Sequence, residues 1–252
     1  LPEWLTAAPA SYTGEGFSMN LPAFLIVILV ISLLIKGTEK AASANNFIVI
    51  LKVSAVIFVI IAGVFFINVD NWTPFIPDVQ TIMVDDKPHQ AYGIGGVISG
   101  AAAIFFAYVG FDAVSTQSGE AINPKKDVPF AIIASLLVCT LLYILVSLVL
   151  TGMISYQDFN PLGKYPEAIK APVAYAFDIA GQAWAGYIIT IAATIGLISV
   201  LMVMIMGQSR IFLGMSKDGL IPSVFSKINP ISGTPKNNLM ILGGFIAIVA
   251  AF

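Results

Sequence analysis

One lysine and one carboxylate sit in otherwise apolar sequence, and both could carry chemistry there. Lys52 lies within Asn45-Asn-Phe-Ile-Val-Ile-Leu-Lys-Val-Ser-Ala55. An ammonium held at the centre of a bilayer costs on the order of 3 kcal/mol. A desolvated lysine shifts its pKa readily, so a buried amine at this position could take up and release a proton. At 1.5 Å per residue it sits about 9 Å in from Asn46, near enough for its stem to carry the charge to an interface instead. The residue alone leaves both readings open. Asp112 is equally double-edged, since it could meet a ligand or anchor the inner half of an interrupted helix; the anchoring role is expected.

The stretch that ends in this carboxylate runs Gly93-Ile-Gly-Gly-Val-Ile-Ser-Gly-Ala-Ala-Ala-Ile-Phe-Phe-Ala-Tyr-Val-Gly-Phe-Asp-Ala-Val-Ser-Thr116. It is long enough to cross a bilayer, yet it carries Gly93, Gly95, Gly96 and Gly100 before its centre and Gly110 after it. Glycine weakens a helix and frees N–H and C=O groups, which a membrane tolerates only inside protein or beside a watery cavity. Helices broken at mid-depth are how many secondary transporters build a solute site. Phe105, Phe106, Tyr108 and Phe111 crowd the expected break. They read either as core or lipid contacts, or as a pocket wall and gate beside carbonyls offered to a ligand's cation.

The elements that must position these groups follow from composition. Of 252 residues, 58% are hydrophobic and 10% charged, with a mean hydropathy of +0.92. Soluble domains are about 25% charged, so a polytopic, all-α membrane protein is expected. Net charge is −2, which argues against a nucleic-acid partner. The single Cys139 excludes an internal disulfide and reads as a buried, inert thiol. With His89 as the only histidine, a thiolate- or imidazole-rich metal site is not expected, and no cofactor is implied.

At roughly 20 apolar residues per crossing, six spans are expected: Asn20–Ile35, Asn46–Ile67, Gly95–Thr116, Phe130–Ile154, Ala183–Gly207 and Leu239–Phe252. The connections 36–45, 117–129 and 208–238 hold eight lysines and arginines, against three in 1–19, 68–94 and 155–182. The positive-inside rule therefore puts the N-terminal stretch outside. Tyr165–Gly181 has a helical apolar stripe suited to a short helix on the outer face, serving as a packing loop or a lid. The opening residues are acidic and Pro-rich, unlike a signal peptide. The chain starts without Met and stops in an apolar run, so it is expected to be an internal piece of a longer protein. Its oligomeric state is not readable.

Four motifs then stand in order: Asn71-Trp-Thr-Pro-Phe75, Phe105-Phe-Ala-Tyr-Val-Gly-Phe-Asp112, Glu120-Ala-Ile-Asn-Pro-Lys-Lys-Asp-Val-Pro129, and Gly207-Gln-Ser-Arg-Ile-Phe followed by Met215-Ser-Lys-Asp-Gly-Leu-Ile-Pro222. Together they closely resemble the bacterial cationic amino acid transporter family of the amino acid–polyamine–organocation superfamily, over nearly the whole chain. The resemblance implies a LeuT-type fold of two inverted five-helix repeats. The chain would be a single transmembrane domain covering the fourth to ninth helices. It further implies an amino acid substrate, proton symport and a place in the cell membrane. Backbone carbonyls near Phe105, Phe106 and Tyr108 would receive the α-amine and Phe111 would close over it, so Phe105, Phe106, Ala107, Tyr108, Gly110 and Phe111 form the expected substrate site. Lys52 matches a lysine that stands where sodium-coupled relatives hold a sodium ion, with Thr194 or Ser199 as candidate contacts.

Two departures qualify this. The first helix, which should bind the substrate carboxylate, is missing, so this chain alone cannot hold a complete site. The outer loop 78–90 is longer than the family pattern and is expected to be a surface decoration. Besides Asp112, no acidic side chain lies in a span to receive a guanidinium, so a neutral or broad substrate range is as plausible as a cationic one. The rival reading is a membrane scaffold in which Gly96, Gly100 and Ala103 merely pack helices. An intramembrane hydrolase is disfavoured, for want of a His–Cys or His–Ser pair or a second intramembrane Asp.

Overall fold

The computed structural model describes residues 2–7, 18–84, 87–111, 113–116, 118, 121–159, 165, 168, 170–230 and 232–252. These fall into two compact units. The first comprises Leu1–Lys52, Ser115–Pro124 and Ala193–Phe252, and the second Val53–Val114 and Lys125–Ala192.

In the first unit, α1 (Leu21–Ile35) starts where the Asn20 side chain accepts a hydrogen bond from the Ala23 N–H at 3.0 Å. That cap satisfies one of the orphan donors of the first turn. Gly37, at φ +129°, separates α1 from α2 (Thr38–Gly63). Beside α1 lies α8 (Lys236–Ala251), and the Asn20 N–H donates to the Ala251 carbonyl at 2.8 Å. The two helices approach closely because Gly243 faces Ile31; a Cβ there would collide with the Ile31 side chain. Val27, Val30, Ile31 and Leu34 of α1, Leu239 and Ala247 of α8, and Met202 and Ile205 of α7 (Ala183–Lys217) form the core. α7 ends in a Schellman arrangement. The Leu220 N–H reaches the Met215 carbonyl at 2.9 Å, the Gly219 N–H reaches that of Ser216 at 3.2 Å, and Gly219 adopts φ +79°. The Met215-Ser-Lys-Asp-Gly-Leu motif is thus a helix stop.

The second unit carries α3 (Gly93–Ile104), most of α5 (Pro124–Met153), α6 (Pro172–Ile179) and a hairpin of β1 (Gln80–Val84) with antiparallel β2 (Lys87–Ala91). The hairpin falls in the connection between α2 and α3. The Asn71-Trp-Thr-Pro motif binds the end of α5: Asn71 Nδ2 donates to the Gly152 carbonyl at 2.7 Å, and Trp72 Nε1 to Thr151 Oγ1 at 3.1 Å. The short helix expected within Tyr165–Gly181 is α6. Its Phe177 is buried against Phe58 and Phe66, with ring centroids 6.2 and 6.4 Å apart.

By length and composition Ala41–Phe66, Gly93–Thr116, Pro124–Met153 and Ala183–Lys217 can each cross a membrane, while Leu21–Ile35 and Lys236–Ala251 are shorter apolar helices. Leu29, Ile50, Ile61, Leu137 and Ile191 are exposed, an apolar surface suited to lipid. Several helices overrun the expected spans, for α2 begins at Thr38, α5 at Pro124 and α8 at Lys236, and α7 continues to Lys217. Hydropathy marks where apolar sequence stops, whereas the backbone stays helical through Gln208, Ser209 and Arg210 until Gly219 turns it.

Candidate functional site

The glycine-bearing span is interrupted. α3 stops at Ile104, Phe105–Tyr108 form a 3₁₀ turn, Val109 is extended at φ −56°, ψ 129°, and helix resumes as α4 (Ala113–Thr116). Gly110 lies in between at φ +112°, a conformation that L side chains rarely adopt. Loose turns replace the helical ladder: Val109 N–H to Phe106 O at 3.2 Å, Phe111 N–H to Tyr108 O at 3.3 Å, and Ala113 N–H to Gly110 O at 3.1 Å. Each carbonyl has two lone pairs, so these oxygens keep accepting capacity. Phe105, Phe106 and Phe111 are exposed, at 66%, 75% and 43%, so the aromatic cluster does not close on itself. Asp112 and Glu120 lie outside the described residues.

One side of the break is tied to α5. Tyr143 Oη donates to the Ala107 carbonyl at 3.0 Å. Tyr108 and Thr140 hydroxyls lie 2.8 Å apart, and Thr140 Oγ1 also donates to the Leu136 carbonyl at 2.7 Å. A hydroxyl has one hydrogen, so satisfying both bonds makes Tyr108 the donor to Thr140. The Tyr108 and Tyr143 rings meet edge to face, 5.4 Å apart.

The coupling candidates lie in the first unit. Lys52 lies about 21 Å along α2 from its start at Thr38. Its stem is half-buried beside α7: a methyl group at Gly196 would lie 3.6 Å from Lys52 Cβ and 3.7 Å from Cδ. Ser199, one turn farther, is buried at 1% exposure and donates to Asn45 Oδ1 at 2.6 Å. Lys52, Gly196, Ser199 and Asn45 therefore form one α2–α7 contact. Thr194 sits on the same stretch of α7.

The sequence profile of the amino acid permease family matches residues 3–252. The chain belongs to the amino acid permease family. This permease-family chain is 39% identical over its full length to a methylthioribose transporter of Bacillus subtilis (strain 168), covering 50% of that protein. It is 41% identical to a branched-chain amino acid permease of the same organism, over 93% of this chain and 46% of the relative. The chloroplastic cationic amino acid transporter 9 of Arabidopsis thaliana is 37% identical over 91% of this chain and 36% of its own length. The chain thus spans half or less of these relatives. All are named transporters or permeases, not enzymes, and the permease family carries a polytopic membrane fold.

Sequence reasoning about this permease chain found the break but missed its partners. Thr140 and Tyr143 are polar residues three apart in an apolar span, hence on one face of α5; that spacing was the available signal. Asn45 offered none, because its bond to Ser199 joins residues 154 apart. Of the glycines that would pack a scaffold, Gly96 has the Ala91 backbone 3.9 Å from a Cβ position and Gly100 has nothing within 4 Å among the described residues.

Proposed function

We propose that this chain is the central part of a secondary active amino acid permease, with substrate held at the break in the span containing Gly110. The observation that carries the reading is that break: a membrane-length segment whose helix gives way at Phe105–Phe111, with Gly110 at φ +112°. Unpaired lone pairs there would receive an α-amine, with Phe105, Phe106 and Tyr108 supplying the carbonyls and Phe111 the cover. Alternating access would move the bundle holding the broken helix against the remaining scaffold. In this reading Lys52 is the proton-coupling group, with Thr194 or Ser199 on α7 as its neighbours, and its protonation biases the two-state element. The protein would reside in the cell membrane with the N-terminal end of this chain outside, as its asymmetry of lysine and arginine favours.

The test uses the full-length permease in liposomes under an imposed pH gradient, with leucine, arginine and methylthioribose as labelled probes. Leucine uptake exceeding arginine uptake is expected, since the spans offer a guanidinium almost no negative charge. Lys52→Met should abolish the pH-driven part of uptake. Uptake equally pH-driven in that variant removes the lysine's role, and uptake of methylthioribose alone removes the amino acid reading.

A further inference from the structure

The unwound stretch Phe105–Phe111 is held unevenly. Its Tyr108 is half-buried, whereas Phe105, Phe106 and Phe111 stay exposed. The buried side is fixed by two adjacent hydrogen bonds from one face of α5, Tyr143 Oη to Ala107 O at 3.0 Å and the Tyr108–Thr140 hydroxyl pair at 2.8 Å. Both land on the 3₁₀ turn itself, and neither lands on the flanking helices. A broken helix in a membrane must place each freed carbonyl somewhere. Here α5 takes a lone pair of Ala107 O, while among the described residues the Phe106 and Tyr108 oxygens accept loose turn bonds of 3.2 and 3.3 Å.

We propose that Thr140 and Tyr143 are positioning residues that set how tightly the break binds its ligand. They fix which face of the unwound backbone is turned toward α5 and thereby which carbonyls are offered to an incoming ammonium group. Thr140 acts through Tyr108, and its own bond to Leu136 O orients its lone pairs toward the tyrosine. Tyr143 acts through Ala107. Neither side chain touches substrate. The inference deepens the transport reading above and rests on it.

Uptake kinetics of the full-length permease in liposomes test this, with labelled leucine, arginine and methylthioribose as probes. Tyr143→Phe keeps the ring and its edge contact with Tyr108 but removes the donor. It should raise KM about fivefold, the worth of one hydrogen bond, with maximal rate unchanged. Thr140→Val, which keeps shape and loses the hydroxyl, should do the same, and Thr140→Ser should restore wild-type KM. A packing role would not distinguish valine from serine in this way. The inference is overturned if wild type transports and both Tyr143→Phe and Thr140→Val leave KM unaltered, including when they only lower thermal stability or maximal rate. If wild type takes up none of the three probes, the transport reading falls and this inference with it.

Discussion

Two glycines in apolar helical segments, Gly243 and Gly110, serve opposite needs. Gly243 has ordinary helical geometry and is required for space, because α8 presses against Ile31 of α1 there. Gly110 has nothing within 4 Å of a Cβ position among the described residues, and is required for its dihedral angle of φ +112°. The first removes a side chain so that two helices can touch. The second removes a side chain so that one helix can stop. A glycine in a membrane segment therefore says nothing about function until its neighbours and its backbone are known.

The contrast can be broken by experiment. The largest effect is expected for Gly110→Ala, which adds no clash but forces an L residue to φ +112°, at about 1–3 kcal/mol of strain. Uptake should fall about 5- to 150-fold at unchanged expression; wild-type uptake would show that the left-handed geometry is dispensable. Gly243→Ala should instead destabilise by about 1–3 kcal/mol through overpacking, read as a lower melting point in detergent. Adding Ile31→Ala should recover part of that loss, whereas no recovery would mean that the helices do not meet as described. A smaller effect, about 1–2 kcal/mol, is expected for Ser199→Ala, which strands the buried bond to Asn45. If Ser199 is a structural tie, this variant melts earlier yet keeps pH-driven uptake; loss of pH drive at unchanged stability would assign it to coupling.

What the sequence revealed follows what is local. The interruption was legible because Gly110 and the aromatics that unwind with it are contiguous, and the short helix α6 because its stripe is periodic. Helix ends were less legible: Lys217 rather than Gly207 terminates α7, since Gly219 and the carbonyls of Met215 and Ser216 decide the stop and hydropathy does not register them. Least legible were the pairings across the chain. Nothing near Asn45 points to Ser199, and nothing near Ala107 points to Tyr143, because a hydrogen bond between distant helices leaves no local period.

The connection between Gly63 and Gly93 looks long on paper, but polymer reasoning makes it short. The Asn68 N–H and Asn71 Nδ2 both bind the Gly152 carbonyl, Trp72 binds Thr151, Tyr156 Oη binds the Pro74 carbonyl, and the Gly93 N–H returns to the Pro77 carbonyl. Each staple divides the tether, so the chain entropy at stake is that of several small closures. An epitope inserted after Val84 would lengthen only the hairpin tip, at about 0.6 kcal/mol per doubling of that loop. The same insert between Asn68 and Pro74 would prise off the staples together. The tip is the place to attach a reporter.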